Sequence, residues 1–473
     1  MGYTINQEKA IHTNGTNILV SASAGSGKTG VLKERVIQKL KDGIDIDQLI
    51  VLTFTEAAAS EMKSRIVKEI YKENLTSQIE KIDNAIISTF DAFTLRLVKE
   101  YHYLLGLESD IDIADAIIVK ARKKAIIVEV IKKYYLRNES DFNTVVKRYF
   151  SGSDKWLYDT VYDLGEALRK TPDFIELLEN YDEIYLTDSF IDNRVKEYIL
   201  SLQDKILQLY DDFNLRYIDN AGAVLSDYRD YYEEVDRYLS FLKVEKDPKK
   251  LFTYLKTSAL PAKPRKSECE KPEIVTLIEN IKKEFTALFV EDYNDFSLNF
   301  QRSVPAVSLI KKIVEKYLRE YETCKFREKL FSFEDIMYLA IKLFKDFKDV
   351  RTKFTENIKE ILVDEYQDTN DLQDEFISLL ANDNVFMVGD VKQSIYRFRD
   401  ANPKNFMRIY EDYSRNNGGI SIFLQENFRS NKFVLSSINR IFTKVMTKNK
   451  GGVDYQGEQV LISGFADDFP LHE

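Results

Sequence analysis

A strand, a loop of small residues and a helix follow one another within residues 17–41 of the sequence. The strand is the apolar run at residues 18–20 (ILV), and the helix has apolar residues at the three- and four-residue spacing of one buried face. Between them, residues 21–29 read SASAGSGKT. A loop of this composition lets backbone amides approach a phosphate group, and the N-terminus of the following helix attracts negative charge. The segment therefore predicts a phosphate-binding loop.

The residue types of this loop fit that chemistry individually. Its glycines let the backbone come close to phosphates, Lys28 has the reach to bind the β- and γ-phosphates, and the Thr29 hydroxyl is suited to ligate magnesium. The general pattern has glycine at the position of Ala22, and a flexible turn of small residues is the alternative interpretation. We expect nucleotide contacts from the whole loop, which consists of Ala22, Ser23, Ala24, Gly25, Ser26, Gly27, Lys28 and Thr29.

Further apolar runs along the chain predict more strands of the same sheet. They lie at residues 49–52 (LIVL), 86–90 (IISTF), 361–363 (ILV) and 385–388 (VFMV), with helical patterns between them. This alternation is typical of an α/β fold with a parallel sheet, because parallel strands need crossover connections. Residues 114–329 instead carry long charged and aromatic helical patterns, which predict a large α-helical insertion with an exposed proline-rich loop at residues 261–272.

The overall charge limits how such a chain could bind a polyanion. Its 68 basic and 78 acidic side chains give a net charge of −10, so any nucleic-acid contact must use a local groove. The two cysteines, Cys269 and Cys324, lack the paired spacing of a zinc site and favour a reducing compartment. The sequence also has no apolar run near the ~18 residues of a membrane span. We therefore expect a cytoplasmic chain.

Two carboxylates, Asp364 and Glu365, follow directly after the predicted strand at residues 361–363. Ligands of open parallel sheets collect beyond the carboxyl ends of the strands, so the pair should lie near the phosphate-binding loop. Asp364 is suited to hold magnesium, and Glu365 to orient or deprotonate an attacking water. An acidic pair at a strand end is more often a solvated turn, and the predicted loop on the same sheet favours the site.

Several segments resemble motifs of superfamily 1 helicases of the UvrD/Rep type. Residues 364–369 (DEYQDT) and 388–399 (VGDVKQSIYRFR) resemble motifs II and III, residues 53–62 (TFTEAAASEM) motif Ia, and residues 425–430 (QENFRS) motif IV. Gln7, within residues 5–11 (INQEKAI), resembles the adenine-reading glutamine of that family. The motifs occur in the order of the family. The resemblance implies a RecA-like P-loop NTPase fold and an ATP-dependent DNA helicase that moves 3′ to 5′.

Within that group, three segments and the long insertion are most similar to the AddA (RexA) family of helicase–nuclease subunits. The segments are residues 88–93 (STFDAF), 331–336 (FSFEDI) and 451–455 (GGVDY). This resemblance implies ATP and Mg²⁺ as cofactors, single-stranded and duplex DNA as ligands, an AddB-like (RexB) partner in a heterodimer, and a role in double-strand break repair. A UvrD/Rep-type repair helicase and a module that binds ATP and DNA without translocating remain alternatives.

The resemblance also implies roles for individual residues around the nucleotide. Gln7 would read the adenine edge, Phe428 would stack on the face of the base, and Arg35 on the helix after the loop would contribute to nucleotide binding. Gln393 would sense the γ-phosphate or position water, and Arg429 would neutralise the charge that develops there. The expected catalytic residues are therefore Glu365, Gln393 and Arg429.

A second set of residues in this sequence matches positions that hold single-stranded DNA in the family. Aromatic stacking suits a protein that must grip any sequence, because each stacked base contributes roughly 1–3 kcal/mol whatever its identity. Core packing is the alternative for the phenylalanines of the set. Asp91 stands where relatives commonly have histidine and Asp400 where many have glycine, and both add negative charge near the expected phosphate path. The set comprises Thr53, Phe54, Thr89, Tyr396, Phe398 and Arg399.

The resemblance finally implies the domain limits. We expect a RecA-like ATP-binding domain at residues 1–113 and 330–420, the helical insertion domain at residues 114–329, and the start of a second RecA-like domain at residues 421–473. The family pattern continues with motifs V and VI and a nuclease domain. We therefore expect an N-terminal portion that binds nucleotide and DNA weakly and hydrolyses ATP poorly by itself.

Overall fold

Six parallel strands form the central sheet of the protein. A computed structural model describes residues 2–150, 154–218, 226–265, 269–447 and 453–465, and the strand order is β3-β2-β4-β5-β1-β6. The strands are β1 (Ile18–Ala22), β2 (Leu49–Thr53), β3 (Ile86–Thr89), β4 (Glu360–Val363), β5 (Val385–Gly389) and β6 (Ile420–Leu424). The predicted α/β class and the predicted strands are confirmed.

Strand β6 was not predicted from the sequence. Among the described strands it pairs only with β1, at the edge of the sheet, and residues along it remain partly exposed. Its sequence ISIFL therefore lacks the continuous apolar run that marks the strands buried on both faces. A shorter parallel pair follows, formed by β7 (Glu426–Asn427) and β8 (Ile462–Ser463).

Helices make up most of the remaining described chain, and the predicted helical insertion is confirmed. In chain order they are α1 (Ile5–His12), α2 (Lys28–Lys41), α3 (Glu56–Lys72), α4 (Phe90–Glu100), α5 (Ala116–Arg137), α6 (Ser140–Tyr149), α7 (Asp154–Arg169), α8 (Phe174–Glu179), α9 (Tyr181–Tyr185), α10 (Asp188–Gln208), α11 (Tyr210–Phe213), α12 (Ser226–Val244), α13 (Pro248–Thr257), α14 (Glu273–Ala287), α15 (Asp295–Glu328), α16 (Phe333–Asp346), α17 (Lys348–Asn357), α18 (Asp371–Leu380), α19 (Pro403–Ser414) and α20 (Lys432–Val445). Among the described residues, no helix combines the length and apolar character that a membrane crossing requires.

The chain divides into two compact units. The core unit comprises Met1–Val128, Tyr162–Pro172 and Tyr317–Glu473, and the helical unit comprises Glu129–Val161 and Asp173–Lys316. The expected domain limits at residues 114, 330 and 421 stay a prediction, and β6 runs across the last of them. Residues 266–268 of the proline-rich loop, and Gly451 and Gly452 of the segment GGVDY, lie outside the described residues.

The central sheet separates two hydrophobic layers within the core unit. Successive strand residues point to opposite faces, so Leu19 and Ile50 belong to one layer, and Ile18 and Val51 to the other. Helices α4, α16 and α18 contribute to the first layer, and helices α1, α2 and α3 to the second. The helical unit has its own core, built from α10, α12, α13 and α14. Each unit thus buries an apolar interior of its own.

The segment FSFEDI begins α16 and contains a buried ion cluster of the core unit. Ser332 and Asp335 form a capping box at the helix N-terminus. The Asp335 carboxylate also accepts hydrogen bonds from Lys325 Nζ (2.8 Å) and the Tyr321 hydroxyl (3.0 Å), and it pairs with the Arg169 guanidinium. Burial by itself would raise the pKa of Asp335, but the two cations hold that pKa well below its usual range. This aspartate therefore joins the ends of α7 and α15 to α16.

Replacing Arg169 by methionine should destabilise the fold. The side chains of Arg169 and Asp335 are only 3% and 0% exposed, and removing one partner of a buried pair costs about 3–5 kcal/mol. Urea denaturation followed by circular dichroism measures the loss. The matched control is Lys342→Met, which removes an exposed pair with Asp346 and should cost less than about 1 kcal/mol. Equal losses in the two variants would contradict a structural role for the cluster.

Candidate functional site

The predicted phosphate-binding loop lies between β1 and α2, at the carboxyl edge of the sheet. Gly25 and Gly27 both have positive φ angles, 72° and 85°, which favour glycine. The hydroxyls of Ser23 and Ser26 are buried, and no described residue bonds to either of them. The loop thus has the backbone conformation and the spare hydrogen-bonding groups that an anion would use.

Gln7 joins the first helix to this loop. Its Nε2 donates to the Ser26 carbonyl oxygen (2.9 Å), and its Oε1 accepts from the Thr4 backbone N–H (2.9 Å). The side chain is nearly buried, and both ends of its amide are engaged within the protein. Each end of the amide keeps one further hydrogen-bonding position, the second N–H and the second oxygen lone pair, and adenine recognition by Gln7 stays a prediction.

Lys28 and the acidic pair meet beside the loop. Lys28 Nζ lies 3.1 Å from Glu365 Oε2, and the Glu365 backbone N–H donates to Asp364 Oδ1 at 2.9 Å. Burial, together with the neighbouring Glu365 carboxylate, raises the pKa of Asp364 to about 6. The structure therefore brings together the loop lysine and the two carboxylates that the sequence associated with it.

Gln367 connects this acidic pair to the segment after β5, and sequence reasoning missed it. Its Nε2 donates to Glu365 Oε2 (2.9 Å), and its Oε1 accepts from the Asp390 backbone N–H (3.0 Å). The Asp390 carboxylate in turn accepts from Gln393 Nε2 (2.7 Å) and pairs with Lys392 Nζ (2.9 Å). Two residues, Gln367 and Asp390, thus link Gln393 to Glu365.

The segment after β6 contacts the loop from the other side. Asn427 Nδ2 donates to the Ala24 carbonyl oxygen (2.6 Å), and the Phe428 backbone N–H donates to the Gly25 carbonyl oxygen (2.9 Å). Asn427 is almost fully buried, whereas Arg429 is exposed beside the loop and Phe428 is half-buried. The structure therefore brings Phe428 and Arg429 to the loop. Asn427 is a second residue that sequence reasoning missed.

The structure gives Arg35 a role different from the predicted one. Its guanidinium is fully buried, pairs with the Glu360 carboxylate (2.5 Å), donates to the carbonyls of Ala10 (2.7 Å) and Ile11 (3.1 Å), and lies over the Phe386 ring. It also lies seven residues beyond the loop lysine, roughly 10 Å along the helix. Its donors are committed to the protein interior, so we correct Arg35 from a nucleotide contact to a packing residue.

Aromatic side chains of the nucleic-acid set form a ladder on the core unit. The ring centroids of Phe54 and Tyr396 are 4.8 Å apart, and those of Tyr396 and Phe398 5.7 Å apart. The Arg399 guanidinium lies within 6 Å of all three rings. Phe398 is 77% exposed, which excludes core packing for this ring. We call these four side chains the aromatic ladder.

A cavity of about 600 Å³ in the core unit adjoins part of this ladder. Its lining includes Phe54 and Arg399 together with Thr53 and Thr89. The Thr53 hydroxyl donates to the Thr55 carbonyl (3.1 Å), while the Thr89 hydroxyl caps α4. Both threonines therefore hold the strand ends in shape, and their contact with DNA stays a prediction.

The two acidic departures from the family pattern also line this cavity. Lys170 Nζ lies 2.5 Å from Asp400 Oδ1, so the charge of Asp400 is balanced within the protein. Asp400 has a φ of 66°, a conformation that glycine adopts without strain. Burial and the nearby Glu334 carboxylate raise the pKa of Asp91 above its usual value. The charge of Asp400 is therefore offset by Lys170, whereas Asp91 has another carboxylate as its neighbour.

Comparison with known proteins assigns the chain to a family. A model of the UvrD/REP helicase N-terminal domain matches residues 3–414. Similar proteins of Streptococcus suis, Streptococcus thermophilus and Pediococcus pentosaceus are each named as the A-type subunit of an ATP-dependent helicase/nuclease and are 32% identical to this chain. Each alignment covers 98% of this chain and 40% of the relative. The chain thus spans about two fifths of the length of these relatives.

Replacing Gly25 by alanine should separate the loop from the segment after β6. An added Cβ would lie 2.7 Å from Asn427 Nδ2 and 2.8 Å from Arg429 Cβ, in addition to the strain of a positive φ. The matched control is Gly43→Ala, which has the same strain but no heavy atom within 4 Å of the new Cβ. We expect Gly43→Ala to cost about 1 kcal/mol and Gly25→Ala about 1–3 kcal/mol more in urea unfolding. Equal costs would mean that this contact is absent in solution.

Proposed function

The chain belongs to the UvrD/REP helicase family, and from this membership we propose that it is the ATP- and DNA-binding part of the A-type subunit of an ATP-dependent helicase/nuclease. The contact between Lys28 and Glu365 at 3.1 Å is the main support for this proposal. It lies beside a loop in which two glycines have the left-handed backbone conformation. A phosphate loop, an acidic pair and an aromatic ladder in one compact unit are among the parts that a nucleotide-driven DNA motor requires.

In the proposed hydrolysis, the triphosphate of ATP draws Lys28 away from Glu365. The freed Glu365 carboxylate then orients or deprotonates the attacking water. Gln393, held on Asp390 at 2.7 Å, is proposed to respond to the γ-phosphate, and the exposed Arg429 to balance the charge that develops on it. These roles are proposed for Glu365, Gln393 and Arg429 together.

Magnesium fits the donor set beside the loop. The Thr29 hydroxyl and the Asp364 carboxylate are oxygen ligands of the kind that this ion prefers, and two adjoining carboxylates without an equal number of cations favour its binding. We propose that Thr29 and Asp364 hold Mg²⁺, which when bound neutralises charge on the phosphate oxygens. Gln7 and Phe428 are proposed to contact the adenine.

Single-stranded DNA is the proposed ligand of the aromatic ladder. Three rings within 6 Å of one guanidinium offer stacking faces and a positive charge, the combination that grips a strand without reading its sequence. Thr53 and Thr89, which line the adjoining cavity, are proposed to contact the strand through the phosphate backbone.

We propose the activity of the whole protein from the names of the relatives. Their name implies a helicase and nuclease built from more than one kind of chain, and this chain covers 40% of their length. We propose that the complete protein moves 3′ to 5′ along DNA, acts in double-strand break repair in the cytoplasm, and pairs with an AddB-like (RexB) partner. The domain limits at residues 114, 330 and 421 are part of the same proposal.

Replacing Lys28 by alanine should weaken nucleotide binding. Hydrogen bonds to charged groups contribute about 1.5–3 kcal/mol, so the affinity for Mg·ATP should fall by roughly 10–150-fold. Isothermal titration calorimetry measures the affinity. The matched control is Lys33→Ala on the same helix, which loses ion pairs with Glu69 (2.7 Å) and Glu34 (3.7 Å) and should bind as the parent chain does. Unchanged binding by Lys28→Ala would refute the phosphate-loop assignment.

Replacing Phe398 by alanine should weaken DNA binding. Loss of one stacked base corresponds to about 1–3 kcal/mol, which is roughly a 5–150-fold rise in Kd. Fluorescence anisotropy with a labelled oligothymidylate gives this value. Phe433→Ala removes another exposed phenylalanine, 62% exposed on α20, and should leave the Kd unchanged. If the two variants weaken binding equally, the ladder is not the DNA site.

A further inference from the structure

We propose that Gln367 is a positioning residue that couples the nucleotide site to the aromatic ladder. This inference rests on the proposed function and deepens it. Gln367 is 1% exposed, and its side chain lies between the acidic pair after β4 and the segment after β5. Neither the family motifs nor the sequence pattern gave it a role.

The amide of Gln367 has only one workable orientation. Its Nε2 faces the Glu365 carboxylate at 2.9 Å, and its Oε1 faces the Asp390 backbone N–H at 3.0 Å. A flipped amide would set oxygen against carboxylate and N–H against N–H. The same side chain packs so closely on Gly389 that an added Cβ there would lie 2.4 Å from Gln367 Oε1. A shift of Glu365 therefore cannot be absorbed by rotation of the amide.

Gln367 bonds to the same carboxylate oxygen as the loop lysine. Glu365 Oε2 accepts from Lys28 Nζ (3.1 Å) and from Gln367 Nε2 (2.9 Å). When phosphate draws Lys28 away, the bond from Gln367 is the one of these two that remains. The orientation of the proposed general base then depends on Gln367, and through it on the Asp390 backbone.

The segment that carries three of the four ladder side chains is fixed to the same loop at both ends. At its start, the Asp390 N–H donates to Gln367 Oε1, and the Ser394 hydroxyl donates to the Gln367 carbonyl oxygen (3.3 Å). At its end, the Asn402 N–H donates to the Thr369 carbonyl oxygen (2.9 Å). The residues between include Tyr396, Phe398 and Arg399. A displacement at Glu365 thus reaches this segment through the Gln367 side chain, while the bonds from Ser394 and Asn402 hold the segment to the backbone of the same loop.

The coupling can be measured as a ratio of two dissociation constants. The Kd of a labelled oligothymidylate is determined by anisotropy without nucleotide and with magnesium and a non-hydrolysable ATP analogue. For the parent chain we expect the two values to differ by about 5–150-fold, the usual range for coupled sites. For Gln367→Met we expect a ratio near one, while the affinity for each ligand alone stays within a few-fold of the parent value.

Gln78→Met is a closely matched control for the loss of a buried amide. Gln78 also accepts from a backbone N–H (Ile46, 2.9 Å) and donates to a carboxylate (Asp45, 2.9 Å), and both of these partners lie in the segment between α2 and β2 within the core unit. This variant should keep the parent ratio. Gln367→Glu retains an acceptor for the Asp390 N–H but replaces the donor to Glu365. Its ratio of dissociation constants should therefore be near one, as in Gln367→Met.

The outcomes separate this inference from the proposed function. A parent chain that binds both ligands and keeps its ratio in Gln367→Met or Gln367→Glu refutes the coupling role alone. A parent ratio of one, or an equal loss in Gln78→Met, also overturns the coupling role. A parent chain that binds neither nucleotide nor DNA refutes the proposed function, and the coupling role with it.

Discussion

Parallel pairing of five neighbouring strands is the constraint on which the site depends. Because β3, β2, β4, β5 and β1 run in the same direction, all their carboxyl ends open on one edge of the sheet. Ser21 pairs with Gly389 and Leu52 with Val363, so the residues that follow these strands emerge side by side. The phosphate loop, the acidic pair and the ladder segment are the continuations of β1, β4 and β5. Phe54 continues β2, and Thr89 ends β3.

This arrangement concentrates negative charge in a partly buried place. Asp364, Glu365 and Asp368 follow one strand and Asp390 follows its neighbour, while Lys28 and Lys392 are the cations that the structure sets against them. Burial and the Glu365 charge raise the pKa of Asp368, like that of Asp364, to about 6, and one Asp368 oxygen is buried without a partner among the described residues. The repulsion among these carboxylates would be relieved by a bound divalent cation together with the two lysines.

The sequence was sufficient wherever an interaction follows from local pattern. Apolar runs gave the strands buried on both faces, and residue types at strand ends gave Lys28, Asp364 and Glu365. The prediction for Arg35 failed because of its distance along α2. A spacing of seven residues keeps Arg35 on the same helix face as Lys28 but places it two turns further from the loop. Its guanidinium therefore reaches Glu360 instead of the carboxyl edge of the sheet. Gln367 and Asn427 lie within the segments that resemble motifs II and IV, but their roles could not be predicted, because a side-chain amide shows its role through partners distant in sequence, here Asp390 and Ala24.

The contacts of the segment after β6 also determine how the phosphate loop is oriented. The carbonyl oxygens of Ala24 and Gly25 both point toward that segment, which binds them with Asn427 Nδ2 and the Phe428 N–H. In a planar trans peptide the N–H points opposite to the carbonyl, so the N–H groups of Gly25 and Ser26 are turned the other way. The loop therefore presents two aligned dipoles before any anion arrives, and the entropy of aligning them is lost during folding rather than during binding.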